Sequence, residues 1–174
     1  MIWQLSNRAD SFSARIADRH YSRQKPGTRQ FAPTGSCVVF KALTDTGRAY
    51  WVTSAPLAEY VKHEWAGAWI CSAFRNEGAG VAHRMVIEAV AATLAHYGPP
   101  PALGMVTFVD ETKVRPFVTP KGRAIYGQCF RQAGFKEVGR TKVRNYLALQ
   151  LLPDDMPPPE KAHGMQHDMF GMAS

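Results

Sequence analysis

The sequence predicts an α/β domain built on a mixed sheet, the α+β kind in which antiparallel strands flank at least one parallel pair. Three observations predict it. An apolar run over 68–74 leads through a glycine-containing segment into a helical run over 81–97, and a second apolar run follows at 103–109. Strand, helix, strand in that order gives a parallel pair. A hairpin pattern precedes this unit, with strands at 37–42 and 49–53 around the turn Asp45-Thr46-Gly47, and two further strand-like runs close the chain at 135–138 and 145–152.

In chain order, 11–21 reads as an amphipathic helix with Phe12, Ile16, Ala17 and Tyr21 spaced along it and Asp10 as its N-cap. The stretch 22–36 is a loop, marked by Lys25-Pro26-Gly27 and Pro33-Thr34-Gly35. Residues 56–64 read as a short helix. The run 81–97 repeats Val81, Met85, Val86, Ala89, Val90, Thr93 and Leu94 at helical spacing and stops at Gly98 and the prolines beyond. A helix is expected over 122–133, ending at Gly134. The domain is taken as 1–152. The Pro-, Met- and His-rich tail 153–174 is expected to be poorly ordered, so His163 and His167, four apart, read as tail residues rather than metal ligands. No internal repeat is present.

A chain of 174 residues is one domain of ordinary size. Cys37, Cys71 and Cys129 cannot all pair and show no CxxC spacing, which fits free thiols in a reducing compartment. No N-terminal signal-like segment or membrane-length apolar run is visible, so a cytoplasmic protein without membrane contact is expected. The net charge of +7 is concentrated in two blocks, with net +5 over 1–50 and +6 over 110–150, flanking a middle of net −1. Such blocks suit a polyanionic partner.

The segment Arg75-Asn76-Glu77-Gly78-Ala79-Gly80 carries the most chemistry. It is read as a strand-to-helix turn whose backbone N–H groups face an anion, with two glycines allowing close approach and Arg75 adding a charged fork. The spacing is neither that of the Rossmann fingerprint nor that of a P-loop. Most turns of this kind bind nothing, so the assignment needs the rest of the chain.

The order of elements, with Arg75, Gly78 and Gly80 between the central strand and helix and Gly134-Phe135 closing the last helix, resembles the GNAT acyltransferase fold over about residues 10–152. The resemblance implies that Phe74, Arg75, Asn76, Glu77, Gly78, Ala79, Gly80 and Val81 bind the pyrophosphate of acetyl-CoA or a related acyl-CoA. Many members place a tyrosine four residues before the Gly-Phe, where it protonates the leaving thiolate. Phe130 stands there in this chain, and Tyr126, one turn earlier, is either its substitute or a packing residue. Within the superfamily, Arg19-His20-Tyr21-Ser22-Arg23-Gln24-Lys25-Pro26-Gly27 is similar to a segment of the phage Mom family of DNA adenine-modification proteins. Phe74-Arg75-Asn76-Glu77, Asp110 with Lys113-Val114-Arg115, and Cys129-Phe130 with Ala133-Gly134-Phe135 resemble that family too. Gln128 departs from it, standing where members carry tyrosine. The resemblance implies modification of an exocyclic adenine amine in double-stranded DNA, giving a methylcarbamoyl group, in the cytoplasm of a phage's bacterial host, as an anti-restriction device. Acylation of an aminomethylated pyrimidine is the variant.

Acyl transfer to an amine needs a fixed donor, a polarised carbonyl and a base. His20 is the first choice of base, its ordinary pKa being near neutrality, against a plain helix-end histidine. Asp110 follows a buried strand, as active-site residues of open sheets do, or is a turn residue. His20, Tyr21 and Asp110 together would suit Fe or Zn if the fold joined them. A base inside a duplex must be flipped and stacked on an aromatic, with Tyr21, Trp51, Trp65 and Trp69 as candidates. Arg19, Arg23, Lys25, Arg29, Lys113, Arg115, Lys121 and Arg123 are expected on DNA phosphates. Two rival readings stand beside this one: an acetyl-CoA-dependent N-acetyltransferase of a small-molecule or protein amine, and a non-catalytic nucleic-acid-binding module.

Overall fold

A computed structural model describes residues 1–61 and 63–165. Its elements are β1 (Gln4–Ser6), α1 (Ser11–Ala17), β2 (Cys37–Thr44), β3 (Gly47–Ser54), β4 (Trp69–Glu77), α2 (Ala82–Tyr97), β5 (Met105–Val109), β6 (Phe117–Val118), β7 (Ala124–Ile125), α3 (Gln128–Gln132), β8 (Lys136–Arg140) and β9 (Leu147–Leu151). Seven strands make one mixed sheet in the order β1-β2-β3-β4-β5-β9-β8, and β6 and β7 form a separate small hairpin. Every pair in the large sheet is antiparallel except β4–β5, which α2 joins. This is the single mixed α+β domain that the element order predicts.

The expected hairpin is present as β2 and β3, in register from Cys37↔Ser54 to Thr44↔Gly47. Asp10 caps α1 by accepting the Ser13 N–H at 3.1 Å and the Ser13 hydroxyl at 2.8 Å. The helix ends at Ala17, four residues short of the expected Tyr21. There Arg19 and His20 turn their N–H groups back to Ile16 and Ala17, and the Asp18 carboxylate takes Arg23 at 2.8 Å and the Gly27 N–H at 3.1 Å. The short helix expected over 56–64 is a single 3-10 turn, Ala58–Tyr60.

Both faces of the sheet are covered. On one, α2 and α3 bury a core that includes Trp3, Trp51, Trp69, Phe130 and Phe135. On the other, α1 packs Ile16 and Ala17 over Val39, Tyr50 and Val52, while Trp65 and Ala68 cover Val106 and Ala148. A polar pocket is built into the first core: the Trp51 indole donates to Thr53 Oγ1 at 2.6 Å, which meets Thr93 Oγ1 at 3.1 Å.

Three expectations need correction. The run 68–74 is a longer strand: β4 extends to Glu77, Arg75 and Asn76 pair with β3 as strand residues, and the turn into α2 spans only 78–81. The helix expected over 122–133 is reduced to α3. Gly122 and Gly127 hold positive φ (77° and 66°), which interrupts helical geometry, and Ala124–Ile125 is drawn into a hairpin with Phe117–Val118. The tail is packed as far as Met165. Leu5 N–H donates to His163 O, His163 N–H to Trp3 O and Glu160 N–H to Ala91 O, and Ala162 is buried. The His163 ring meets Met1 O at 3.0 Å, while His167 lies outside the described residues.

Candidate functional site

β4 and β5 part company early. They pair only from Trp69↔Met105 to Cys71↔Thr107, and Ser72 is an extra residue that shifts the β3–β4 register between Val52 and Thr53. Such a bulge re-aims a strand. Beyond it, β4 from Ala73 to Glu77 has β3 on one edge and no β5 on the other. A polar cleft of about 450 Å³ opens at this parting, lined by Asp18–Tyr21 from the turn after α1, Phe74–Asn76 of β4, and Lys113–Arg115 after β5. Thus segments far apart in the chain, each part of the resemblance drawn above, meet in one place.

Arg19, Arg48 and Arg75 converge on one carboxylate, Glu77. Arg19 is bidentate at 2.7 and 2.5 Å, Arg75 lies at 2.8 Å and Arg48 at 3.0 Å. These hydrogen bonds, Arg19's first, hold the Glu77 carboxyl well down, to about 2. Arg75 also donates to Arg19 O at 2.8 Å, tying β4 to the turn after α1. Three guanidinium groups on one carboxylate leave a local charge of +2, and no carboxylate among the described residues pairs with Lys113 or Arg115. The cleft is cationic by composition.

The turn into α2 differs from what its glycines suggest. Gly78 has φ +84°, and a Cβ there would meet Thr46 O at 3.0 Å; at Gly80 it would meet Met85 Sδ at 3.4 Å and Ile2 Cδ1 at 3.5 Å. Both glycines are needed for close packing against protein. The Ala79 N–H is taken by Asn76 Oδ1 at 2.9 Å, and Asn76 Nδ2 donates to Gly80 O at 2.7 Å. What remains open is the start of α2, which no side chain caps. Phe74, Arg75 and Asn76 therefore line the cleft, while Glu77, Gly78, Ala79, Gly80 and Val81 do not.

His20 and Tyr21 stack at 4.6 Å within the cleft, and His20 stands edge-on to Tyr50 at 6.2 Å. The premise of a histidine poised near neutrality is corrected. Burial, with the Arg75 charge adding to it, pushes His20 down to about 4, so the ring is neutral at pH 7. Ser22 N–H donates to Nδ1 at 3.2 Å and Ser22 Oγ lies 2.8 Å from the same atom. Nδ1 is then the acceptor and Nε2 carries the ring proton, directed to the Phe74 carbonyl. A strand residue presents its N–H and C=O on the same edge. The Phe74 N–H accordingly faces the parting as well.

The Tyr21 hydroxyl donates to Phe108 O at 3.4 Å, and burial raises its phenol, which stays protonated. Asp110 lies just beyond, but its Oδ1 accepts Thr112 N–H at 3.0 Å and the Thr112 hydroxyl at 2.6 Å. Those bonds, the hydroxyl's first, hold its carboxyl below the usual range. It is a turn residue at the rim. Tyr126 lies outside the cleft, half-buried against the core on the α2 side, with its carbonyl accepting Arg131 Nε at 3.0 Å. No group of three His, Cys, Asp or Glu side chains among the described residues could hold a metal ion. His20 is aimed at Ser22 and Phe74, and Asp110 Oδ1 at Thr112.

Of the eight cations expected on DNA, Arg19, Lys113 and Arg115 line the cleft. Arg23 is structural: it holds Asp18 and the Thr28 and Gln30 carbonyls. Lys25 and Arg29 are exposed in the long loop, and Lys121 and Arg123 in the turn between β6 and β7. Of the stacking candidates, Trp51 and Trp69 are core residues. Sequence reasoning missed Arg48, brought to Glu77 by strand pairing, and Ser22, whose role depends on which histidine nitrogen it meets.

No protein-family model matches this chain, and no curated protein and no solved structure matches it either. No helix among the described residues is long and apolar enough to cross a membrane.

The His20 proton balance makes a prediction. Its folded pKa, about 4, lies below the ordinary 6.5, so between those values the unfolded chain binds a proton that the folded chain does not. Stability should therefore be full above about pH 6.5 and fall as pH drops toward 4. His20→Gln should lose less stability than wild type between about pH 7 and about pH 5, as read from thermal melts.

Proposed function

We propose that this chain is a GNAT-like transferase that moves an acyl group from an acyl-CoA to an amine of a DNA base, N6 of adenine being favoured and an aminomethylated pyrimidine the variant. The observation that carries the proposal is the cleft at the β4–β5 parting. It joins His20 and Tyr21 to Phe74, Arg75 and Asn76 and to Lys113 and Arg115. The resemblance to the Mom family rests on these same segments, and the parallel pair joined through α2 agrees with the GNAT resemblance.

The residues fit a polyanionic thioester through their charge. Arg19, Arg75, Lys113 and Arg115 are there for phosphates, and α2, whose start no side chain caps, begins seven residues after Arg75. When bound, the coenzyme supplies an activated acyl carbon. The Phe74 N–H, on the open edge of β4, would polarise its carbonyl. As the new C–N bond forms and the C–S bond breaks, the amine loses a proton. Ser22 Oγ receives it and passes its own to Nδ1 of neutral His20. Tyr21, protonated at neutral pH, gives a proton to the departing thiolate, the role expected of Tyr126, and regains one from solvent as His20 releases its own. A base with a pKa near 4 suffices because the proton leaves an N-acylated, strongly acidic nitrogen.

Two binding measurements test this reading against its rivals. Calorimetry should show acetyl-CoA binding that Arg75→Ala weakens at least about tenfold; a chain that binds no acyl-CoA would be a nucleic-acid-binding module. Duplex DNA binding should weaken steeply with salt, and Lys113→Ala and Arg115→Ala should each reduce the log–log salt slope by about one. Salt-independent or absent DNA binding would favour the acetyltransferase of a small-molecule or protein amine.

A further inference from the structure

A second cavity, of about 270 Å³, opens beside the cleft between the 63–65 segment and the turn joining β8 to β9. Its floor is aromatic. The rings of His63, Trp65 and Phe108 pack together, with centroids 5.0 Å (His63–Phe108), 5.6 Å (Trp65–Phe108) and 6.0 Å (His63–Trp65) apart. Tyr146 forms another wall, with the Arg144 guanidinium 5.9 Å from its ring centroid. The rim is cationic. No carboxylate among the described residues pairs with Arg144, and Lys142 is held only by a solvent-exposed pair with Glu64 at 3.1 Å, a contact of little worth. Phe108 joins the two cavities: its ring walls this pocket, and its carbonyl accepts the Tyr21 hydroxyl of the cleft.

We infer that this pocket receives one nucleobase turned out of its strand, stacked among Trp65, Phe108 and Tyr146, while Lys142 and Arg144 take the flanking phosphates. The inference rests on the DNA-base reading above and adds where the acceptor sits. The volume is too small for a coenzyme and suits a single planar ring system. Aromatic walls accept any base through its π-face, and cations at the rim track the backbone. An aliphatic side chain of a protein partner would have no use for those cations. A base in the pocket lies one residue from Tyr21, so an exocyclic amine at its edge is offered to the cleft.

The test is a titration of the full-length protein with a single-stranded oligonucleotide, with no acyl donor present. Of the four tryptophans, Trp65 is the one that lines the pocket, so it is the indole that reports on it. Binding should quench tryptophan emission, and Trp65→Phe should remove the quench. Tyr146→Leu and Arg144→Glu should each weaken binding about tenfold, and an oligonucleotide with an abasic site in place of the bound base should bind weakly to all forms alike. Arg144 is exposed, so its variant reads the site even where Tyr146→Leu lowers stability. Unchanged emission at saturation, equal binding of intact and abasic strands, or wild-type affinity in both variants would overturn the inference. Because no donor is present, failure of acyl transfer leaves this result intact. Conversely, base modification at the wild-type rate by both pocket variants would sink the pocket and spare the transfer reading.

Discussion

Gly47→Ala is expected to destabilise the protein by roughly 3 kcal/mol or more, lowering Tm by about 6–12 °C. A Cβ at this position would lie 2.1 Å from Glu77 O, 2.6 Å from Gly78 C and 2.9 Å from Ala79 N. All three are main-chain atoms, so no side chain can swing away, and the β2–β3 turn must separate from the β4–α2 turn. The separation would strain the bonds from Thr46 Oγ1 to Gly78 O at 2.8 Å and from Thr44 Oγ1 to Ala79 O at 3.2 Å. Gly80→Ala is the control, because its Cβ meets only flexible side-chain atoms at 3.4 Å or more. Its cost should stay below about 1.5 kcal/mol. Equal melts for the two variants would show that the hairpin does not brace the entrance to α2.

Glu77→Ala has the second largest expected effect, and it reaches both stability and the cleft. Removing the carboxylate leaves Arg19, Arg48 and Arg75 facing one another with no counter-charge. The expected cost is about 2 kcal/mol, moderated because the cluster is partly solvated, or about 4–8 °C in Tm. Arg75 should also release Arg19 O, so acyl-CoA affinity should fall although the net charge has become more positive. The pH dependence follows from the sign of the shift. Glu77 is held at about 2 against an ordinary 4.5, so its contribution is full above about pH 4.5 and is lost as pH falls toward 2. Glu77→Gln should flatten the stability curve in that acid range, below the window in which His20 acts. Thermal melts of the two variants from acid to neutral pH check both points. A Glu77→Ala protein that binds acyl-CoA more tightly than wild type would mean that the carboxylate opposes the ligand instead of arranging its partners.

What could be read in the sequence was local. The Asp10 cap, the β2–β3 hairpin, the long helix α2 and the two apolar strands around it all announce themselves through spacing within a dozen residues. The end of β4 did not, because Arg75-Asn76-Glu77 is polar. It remains a strand only through its pairing with β3 at Ala49 and Tyr50, and it is wet because β5 has turned away. The glycines of 78–80 also pack closely against Thr46 and Ile2, contacts with distant parts of the chain that their spacing does not announce. The helix expected over 122–133 failed on Gly122 and Gly127, whose positive φ values serve a turn and a close approach to Leu149. The packed tail was hidden because its partners are Trp3 and Leu5, at the opposite end of the chain. For the site, the His20 segment, Arg75 and the Lys113–Arg115 segment were legible as separate pieces. That they share one cleft, that Glu77 organises three arginines, and that an aromatic pocket adjoins them depends on strand order.

Nucleoside mass spectrometry tests the central claim most directly. DNA from cells expressing the wild-type chain, digested to nucleosides, should contain a mass-shifted nucleoside whose added mass is that of the transferred group. The species should be lost with His20→Ala and reduced with Lys113→Glu. Digests indistinguishable from those of cells lacking the protein, while the purified chain binds both acyl-CoA and DNA, would contradict transfer to a DNA base.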